Sequence, residues 1–557
     1  MLELSKRILV AVAWPYVNDE PHLGHIAGMN IPADIFARFH RIIGNKVAMV
    51  SGSDMHGTPT ALKASDEGVE PSEIAFRYHK IWKNSLEKMN FSYDLYTHTH
   101  TENHKEIVTK IFLKLKEKNL LYEHTQKMPY STTEKRFLPD RFVEGTCPHC
   151  SYEKARGDQC DKCGRTLDPI ELINIKSIRD HSTPEFRDTT HQFFKLSKFN
   201  KTLEEWISSK KSWRNNVKNQ SLGMLKEGLI DRAITRDIDW GIPVPIENGY
   251  ENKSIYVWFE AVIGYLSATV EWAKNQGDEK LWEEFWLNEN AETYYFQGKD
   301  NIPFHAIIWP AILLGYEDHN IPTDVVANEY LNLGGLDFSK SKGHAIWLTD
   351  YLSRYDPDPL RYYLASIMPE TSDSEFTWAG YLSANNNELV ATLGNLVHRI
   401  LTISHKNFDS INAPDKLSDN DNVILDHCNQ TLDKVFKSLE NRKFRQGLQQ
   451  AMNLAQIGNR YIDQEKPWST VKTNKQKASN SLWIGINIIS TLRTVFYPFL
   501  PNTSDLIHNM LNFKNDTLSD GWKRKELPEK IIINPPKTLF KKLDENIIKE
   551  ENDRLMK

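Results

Sequence analysis

Residues 8–39 constrain this chain more than any other stretch. An apolar, partly β-branched run from Ile8 to Ala13 has no polar face. Such a run suits a strand buried on both sides in a parallel sheet. Trp14-Pro15 ends it, and a polar loop leads to His22-Leu23-Gly24-His25. Ile26, Met29, Ile31, Ile35, Phe36 and Phe39 then recur at roughly helical spacing, with Pro32 tolerable only near a first turn. The order strand, loop, helix start sets two histidines beside unpaired backbone N–H groups and the positive end of a helix dipole. Gly24 leaves room for a flat ligand against the backbone. The natural guest is an anion carrying a ring, with ATP the obvious candidate. Histidines at this spacing also occur as plain structural residues, so the rest of the chain must decide.

At 557 residues the chain is too long for one core, and three or four domains are expected. No apolar run reaches membrane-spanning length, and the first one is soon followed by Asp19-Glu20. Neither a membrane span nor a secretion signal is expected. A formal charge of −5 excludes a protein whose whole surface grips nucleic acid, but not local basic faces. Fifteen tryptophans suit large cores and aromatic-lined pockets. Four of the five cysteines cluster, which points to a metal in a reducing compartment, the cytoplasm, rather than to disulfides.

Lys46 to Val50 reads as a second short strand, running into Ser51-Gly52-Ser53-Asp54-Met55-His56-Gly57-Thr58-Pro59. Open α/β sheets display their sites at such carboxyl ends, which makes Asp54 and His56 candidates. Helical patterns at 66–90 and 102–119 complete a doubly wound nucleotide-binding half. Two knuckles follow, Cys147-Pro-His-Cys150 and Cys160-Asp-Lys-Cys163-Gly164. Two such pairs this close have little use except a tetrahedral thiolate site, closed and structural, with zinc expected in it. Cys428 reads as a buried thiol. The basic and aromatic patch Lys210 to Lys218, around Trp213-Arg214, reads as a solvated helix face, or alternatively as a nucleic-acid contact.

Asp239 to Pro245 is a breaker-rich return, after which Ile255 to Tyr265 and Tyr294 to Asp300 resume the apolar pattern, with His305 and Trp309 one helical turn apart. The α/β unit is thus expected to be split by an insertion. Gly334 to Gly343 interleaves serine and lysine between glycines, as an anion-gripping loop would. A stripe from Leu389 to Leu401 and helical stretches at 419–440, 442–464 and 476–497 suggest a helical bundle.

H-L-G-H after a first strand, Phe338-Ser-Lys340-Ser-Lys after the second half, four cysteines in the insertion and a helical C-terminus together resemble class I aminoacyl-tRNA synthetases. The detail narrows this to the methionyl-tRNA synthetase family. Its pattern is visible in Ala13-Trp-Pro-Tyr16, in Ser53-Asp54-x-His56-Gly57-Thr58-Pro59 and in Phe137-Leu-Pro-Asp-Arg-Phe142. It continues in Tyr256-Val-Trp258-Phe-Glu-Ala261-x-Ile-Gly-Tyr265, in Gly298-Lys-Asp300 with His305, and in Pro467-Trp468. The match covers nearly the whole chain in the right order.

The resemblance implies a Rossmann-type α/β catalytic domain in two halves (1–116 and 246–330) around a zinc-binding insertion at 117–245. A lysine-serine loop and stem-contact region would follow at 331–384, and a helical anticodon-binding domain at 385–557. It implies ATP phosphates on His22 and His25, adenine over Gly24, substrate orientation by Asp300, and Lys340 closing over the triphosphate. Methionine would lie among Ala13, Trp14, Tyr16, Trp258, Ala261, Tyr265 and His305, with Asp54 on its ammonium. Such a flexible, soft-sulfur substrate suits an apolar and aromatic wall. Cys147, Cys150, Cys160 and Cys163 would hold one zinc ion, and magnesium would accompany ATP. Asn395, Arg399 and Trp468 would read the anticodon of tRNA(Met), by stacking and base-edge contacts.

Some positions depart from the family pattern. The loop begins Asp337-Phe338 where the family has Lys-Met, Val262 replaces a usual proline, and Trp14 stands for a smaller aliphatic. The chain also lacks the extension that makes some members dimers, so a monomer is expected. The competing reading is a paralogue that binds tRNA without charging it, for which only Asp337 speaks.

Overall fold

The burial pattern of the first strand alternates between two cores. Ile8, Val10 and Val12 face one apolar cluster, and Leu9 and Ala11 face the other. In the computed structural model, which describes residues 5–247, 249–337 and 344–555, that strand is the middle of a five-stranded parallel sheet. Its members are β1 (Arg7–Val12), β2 (Lys46–Ser53), β3 (Leu95–His98), β4 (Glu292–Gly298) and β5 (Asp324–Asn328). Their spatial order is β5-β4-β1-β2-β3, with Ala11 beside Tyr295 and also beside Val50. The chain leaves β1 toward β2 on one side and enters β4 on the other. The crevice between the ends of β1 and β4 is therefore the switch point where an open α/β sheet offers a ligand site.

The helix after His22 does not begin cleanly. Leu23–His25 is a single α turn, Ile26–Asn30 winds as a π-helix, and a regular α-helix runs only from Ile31 to Ile42 with Pro32 in its first turn. Asn30 steadies the irregular turn by donating to the His25 carbonyl (3.2 Å) and accepting from the Tyr93 hydroxyl (2.7 Å). The expected helix at 66–90 is two, Thr58–Glu67 and Pro71–Lys88, because Gly68 turns left-handed (φ +69°) and Pro71 starts afresh.

Between β3 and the helix Val257–Asn275 the chain builds a separate antiparallel unit. Leu121–Ser131 pairs with Glu185–Phe194 along its length, from Leu121 opposite Phe194 to Tyr130 opposite Glu185. A three-stranded patch, Val143–Thr146 between Ala155–Arg156 and Ile173–Ser177, carries the cysteine knuckles. Residues 210–218 correct the sequence reading. Trp213 is buried and donates to the Thr323 carbonyl (2.8 Å), while Arg214 donates to the Ala327 carbonyl (3.0 Å) and Asn216 to the same oxygen (3.2 Å). The centre of the patch is therefore not a solvated face, since Trp213, Arg214 and Asn216 turn onto the sheet while Lys211 and Asn215 stay exposed. It caps the carbonyl edge of β5 and fastens the insertion to the sheet.

The C-terminal part is helical: Asn395–Asn407, Asp419–Glu440, Phe444–Glu465 and Lys475–Phe496 pack as a bundle, preceded by an unusually long π-helix, Ala384–Gly394. Cys428 is buried in it, and burial pushes its thiol up to about 11. No described helix is long and apolar enough to cross a membrane.

One buried ion cluster joins these parts. Asp34 accepts from Arg38 (2.9 Å) and from Arg361 (2.6 Å) through one carboxylate oxygen, and from the Ser92 amide and hydroxyl (2.7 and 2.6 Å) through the other. Arg361 also donates to the carbonyls of Phe499 (2.8 Å) and Pro498 (3.2 Å), at the end of the long bundle helix. Burial alone would raise the Asp34 carboxyl, but the two guanidinium groups and Ser92 hold it well below the usual carboxylate range. Its stabilising effect is present above the ordinary carboxylate pKa and is lost only as pH falls through the depressed folded value. Arg361→Met is expected to destabilise the chain by about 3–5 kcal/mol. Calorimetry should then show the bundle melting apart from the sheet, whereas a single unshifted transition would contradict this role.

Candidate active site

The loop after β1 crosses the switch point. Ala13 donates to the Phe296 carbonyl of β4 (2.9 Å), and Tyr16 and Asp54 form a parallel backbone bridge. Trp14 turns its indole into a slot of β2 and the helix Val257–Asn275. A methyl group at Gly52 or Gly264 would meet it at 2.4 or 2.9 Å, so both positions need glycine. The indole stands edge-on to Tyr265 (6.4 Å, 82°) and stacks on His104 (6.3 Å, 27°). The large residue at position 14 thus acts as a buttress beneath Tyr265.

Tyr265, Trp258 and Ala261 come from that one helix at i+7, i and i+3, which puts them on a single face. The Tyr265 hydroxyl is 2.6 Å from Nε2 of His305, and Nδ1 of His305 is 2.9 Å from the Asn301 carbonyl. A carbonyl only accepts, so Nδ1 carries the hydrogen and Nε2 accepts from Tyr265. Burial lowers His305 to about 4, which keeps the ring neutral near pH 7. Both groups are thereby held uncharged. Trp258 donates to the Tyr16 hydroxyl (3.2 Å) and packs edge-on against Phe304 (4.7 Å).

Asp54 brings an ionisable carboxyl into this neighbourhood. It is only 4% exposed, and its Oδ1 has no hydrogen-bond partner among the described residues. Burial first, and the nearby Glu260 charge second, push its carboxyl well above the usual range. The same carboxylate adds to burial in raising the hydroxyls of Tyr16 and Tyr265. A bare carboxylate oxygen between tyrosines is an open place for a cationic group.

The rings of His22 and His25 lie with centres 3.6 Å apart, tilted by 30°, and the His22 amide donates to Nδ1 of His25 (3.2 Å). The His22–Gly24–His25 turn is stitched to the segment just past the lysine-serine loop. Leu23 donates to the Ile346 carbonyl (3.1 Å), Leu348 donates to the Pro21 carbonyl (2.8 Å), and His22 bridges Trp347. Lys340 and Phe338 lie outside the described residues. Asp300 sits just past β4 and accepts from the Tyr330 hydroxyl.

These groups border a cavity of about 1340 Å³ that extends from Ala13–Tyr16, His25 and Asp300 to the knuckle segment Cys160–Asp168 and to Arg232–Arg236. Tyr16 and Trp258 stand at its wall, and Asp54, Tyr265 and His305 lie off it. The structure therefore gathers one set of residues on an open trough and a second in the interior next to it.

The four cysteine sulfurs lie within 4.8 Å of one another, with 4.0 Å between Cys147 and Cys163 and 3.6 Å between Cys150 and Cys160. A tetrahedron with metal–sulfur bonds of about 2.3 Å needs edges of about 3.8 Å. The donor set fits such an ion. Each knuckle closes with a left-handed residue, Ser151 (φ +58°) and Gly164 (φ +69°).

Far from this site, Asn395 and Arg399 stand one turn apart on the helix Asn395–Asn407. The Arg399 guanidinium lies 4.6 Å from the ring centre of Trp468, which is 39% exposed although aromatic. Arg399 also pairs with Asp463 (2.6 Å). The structure thus brings Arg399 and Trp468 together on the bundle surface.

Comparison with known proteins places the whole arrangement. The family described as "tRNA synthetases class I (M)" matches residues 8–401, and "Anticodon binding domain of methionyl tRNA ligase" matches 411–556. The chain belongs to the methionyl-tRNA synthetase family. A methionine–tRNA ligase of Dehalococcoides mccartyi is 48% identical over 553 residues, spanning 99% of this chain and 100% of that one. The methionine–tRNA ligase of Thermomicrobium roseum is 44% identical over 581 residues, spanning 99% of each. Among solved structures, Mycobacterium tuberculosis methionyl-tRNA synthetase in complex with methionyl-adenylate shares the fold, with a TM-score of 0.79 at 22% identity over 96% of this chain and 99% of that one.

Sequence reasoning did not single out Glu260, His100 or Trp240, which meet His56 under the pocket. The signal for Glu260 is a carboxylate in an otherwise apolar helix start, Val257-Trp-Phe-Glu260-Ala. For the knuckles, purified chain should carry a single divalent metal ion that Cys160→Ser releases. Amide exchange should then rise across 143–177 and stay unchanged in β1–β5. Equal protection with and without metal would remove the structural role.

Proposed function

We propose that the chain activates L-methionine with ATP to methionyl-adenylate and pyrophosphate, and then transfers methionine to the 3′ end of tRNA(Met), initiator tRNA included. The observation that carries this reading is the bare Asp54 oxygen beside the neutral Tyr265–His305 pair at the switch point of the sheet. An amino acid with an uncharged, sulfur-bearing side chain offers both halves of the match: an ammonium for Asp54, and a thioether for the Tyr16, Trp258, Ala261, Tyr265 and His305 wall.

In the first step an oxygen of the methionine carboxylate attacks the α-phosphorus in line, forming the P–O bond of the mixed anhydride while the bond to pyrophosphate breaks. His22 and His25 donate to phosphate oxygens, Gly24 lies under the adenine, and Asp300 orients the bound pair. Lys340 closes over the triphosphate. In the second step a hydroxyl of the terminal ribose attacks the carbonyl carbon and AMP leaves. Neither step needs a protein nucleophile; fixed positions and stabilised charge suffice.

The remaining assignments follow the same reading. Zinc occupies the Cys147, Cys150, Cys160 and Cys163 site and holds the knuckles in shape, and magnesium enters with ATP. Asn395, Arg399 and Trp468 read the anticodon, with the exposed indole as a stacking platform. Residues 1–116 and 246–330 form the catalytic halves, 117–245 the insertion, 331–384 the loop and stem-contact region, and 385–557 the anticodon domain. The enzyme works as a cytoplasmic monomer.

ATP–pyrophosphate exchange without tRNA, run across all twenty amino acids, should respond to methionine alone. Exchange with no amino acid, from folded and metal-loaded protein, would favour a tRNA-binding paralogue. Trp468→Ala should lower aminoacylation by about fivefold to 150-fold, from the loss of about 1–3 kcal/mol of stacking, and leave exchange intact. Equal losses in both assays would refute the anticodon role.

A further inference from the structure

Next to Asp54 lies a second carboxylate that the reading above leaves without a task. Glu260 is fully buried in the first turn of the helix Val257–Asn275, between Trp258 and Ala261 in sequence. Its Oε1 is 2.8 Å from Nδ1 of His56, but its Oε2 is buried with no hydrogen-bond partner among the described residues. Asp54 Oδ1 is in the same condition. The two carboxylates act on each other electrically, since the Glu260 charge is the main influence after burial on the Asp54 carboxyl. Leaving one buried acceptor bare costs as much as losing a hydrogen bond or more. Leaving two of like charge near each other is worse, unless a cation comes to meet them.

Glu260 is also held firmly where it is. As a carboxylate it only accepts, so Nδ1 of His56 carries the hydrogen between them. Nε2 of His56 is 2.9 Å from Nδ1 of His100, and His100, at the surface, stacks on Trp240 (5.1 Å, 28°). Trp240 in turn donates to the Met55 carbonyl (2.7 Å) and meets His56 edge-on (5.3 Å, 80°). Met55, Trp240, His100 and His56 thus close a circuit on the turn Asp54-Met55-His56, and Glu260 is attached to it through His56. That closed circuit fixes Glu260 relative to Asp54 and gives Glu260 no freedom to turn away.

We propose that Glu260 is a second carboxylate of the ammonium pocket, set in place by His56 and His100, so that the α-ammonium of the substrate meets two bare buried oxygens instead of one. This rests on the assignment of Asp54 to that ammonium. A primary ammonium has three N–H donors, and a single aspartate oxygen uses only one. The paired carboxylates make recognition of the charged nitrogen steeper than recognition of the carbon skeleton, because only a cation relieves their mutual repulsion. Glu260 and His56 are positioning and recognition groups, and neither takes part in bond making.

The test compares two ligands by calorimetry on the full chain: L-methioninol, which has the ammonium, and 4-(methylthio)butan-1-ol, the same skeleton without nitrogen. The ratio of their dissociation constants isolates the ammonium. Glu260→Gln should shrink that ratio about tenfold or more while leaving the nitrogen-free ligand unchanged. Glu260→Asp should restore part of it, and His56→Gln should give an intermediate loss by releasing Glu260. Asp54→Asn serves as the reference variant. Should Asp54→Asn collapse the ratio and Glu260→Gln leave it intact, or weaken both ligands equally, Glu260 has no such role. An unchanged ratio in Asp54→Asn would instead overturn the assignment of Asp54 itself.

Discussion

The buried cluster of Asp34, Arg38 and Arg361 fixes how the parts of this molecule stand to one another. Arg361 comes from the helix Pro357–Ser366, Asp34 from the helix that starts at the proposed nucleotide turn, and the Phe499 and Pro498 carbonyls from the end of the bundle. Charges buried this deeply survive only when every lone pair and donor is matched. Here Asp34 takes four donors and Arg361 reaches three carbonyls as well as the carboxylate. Such a junction tolerates little displacement. It ties the helix beside the switch-point crevice to the end of the bundle by buried contacts.

The interior beside the crevice is built on the opposite principle. Its polar groups are few, and two of its carboxylate oxygens are bare. In a low-dielectric surrounding an unmatched charge is costly, and that cost is the source of selectivity, since the missing partner is supplied from outside. The neutral Tyr265–His305 pair keeps the neighbouring wall uncharged, next to the carboxylates of Asp54 and Glu260.

Several residues could be grouped from the sequence because their chemistry is local. Strand β1 announced itself by an unbroken apolar run, the knuckles by two close Cys-x-x-Cys pairs, and the bundle helices by long apolar stripes. The observed Asp419–Glu440 coincides with the expected stretch, and Phe444–Glu465 and Lys475–Phe496 differ by a residue or two at their ends. The patch at Trp213-Arg214 was misread for a physical reason. Aromatic and basic residues serve an RNA backbone and a row of carbonyl oxygens equally well, and nothing local says which acceptor is near. For Trp14, the glycines that admit its indole, Gly52 and Gly264, lie on other elements, so its packing could not be read from its own neighbourhood.

By itself, the sequence determined the α/β class, the split by an insertion, the thiolate cluster, the helical C-terminus and the family, because each rests on short-range spacing or on motifs read in order. Only the tertiary structure decided what meets across long separations. Asp34 finds Arg361, Trp213 finds the edge of β5, and Glu260 finds His56 across 204 residues. Those pairings depend on which faces pack together, and burial then turns each of them from a surface contact into a strong constraint.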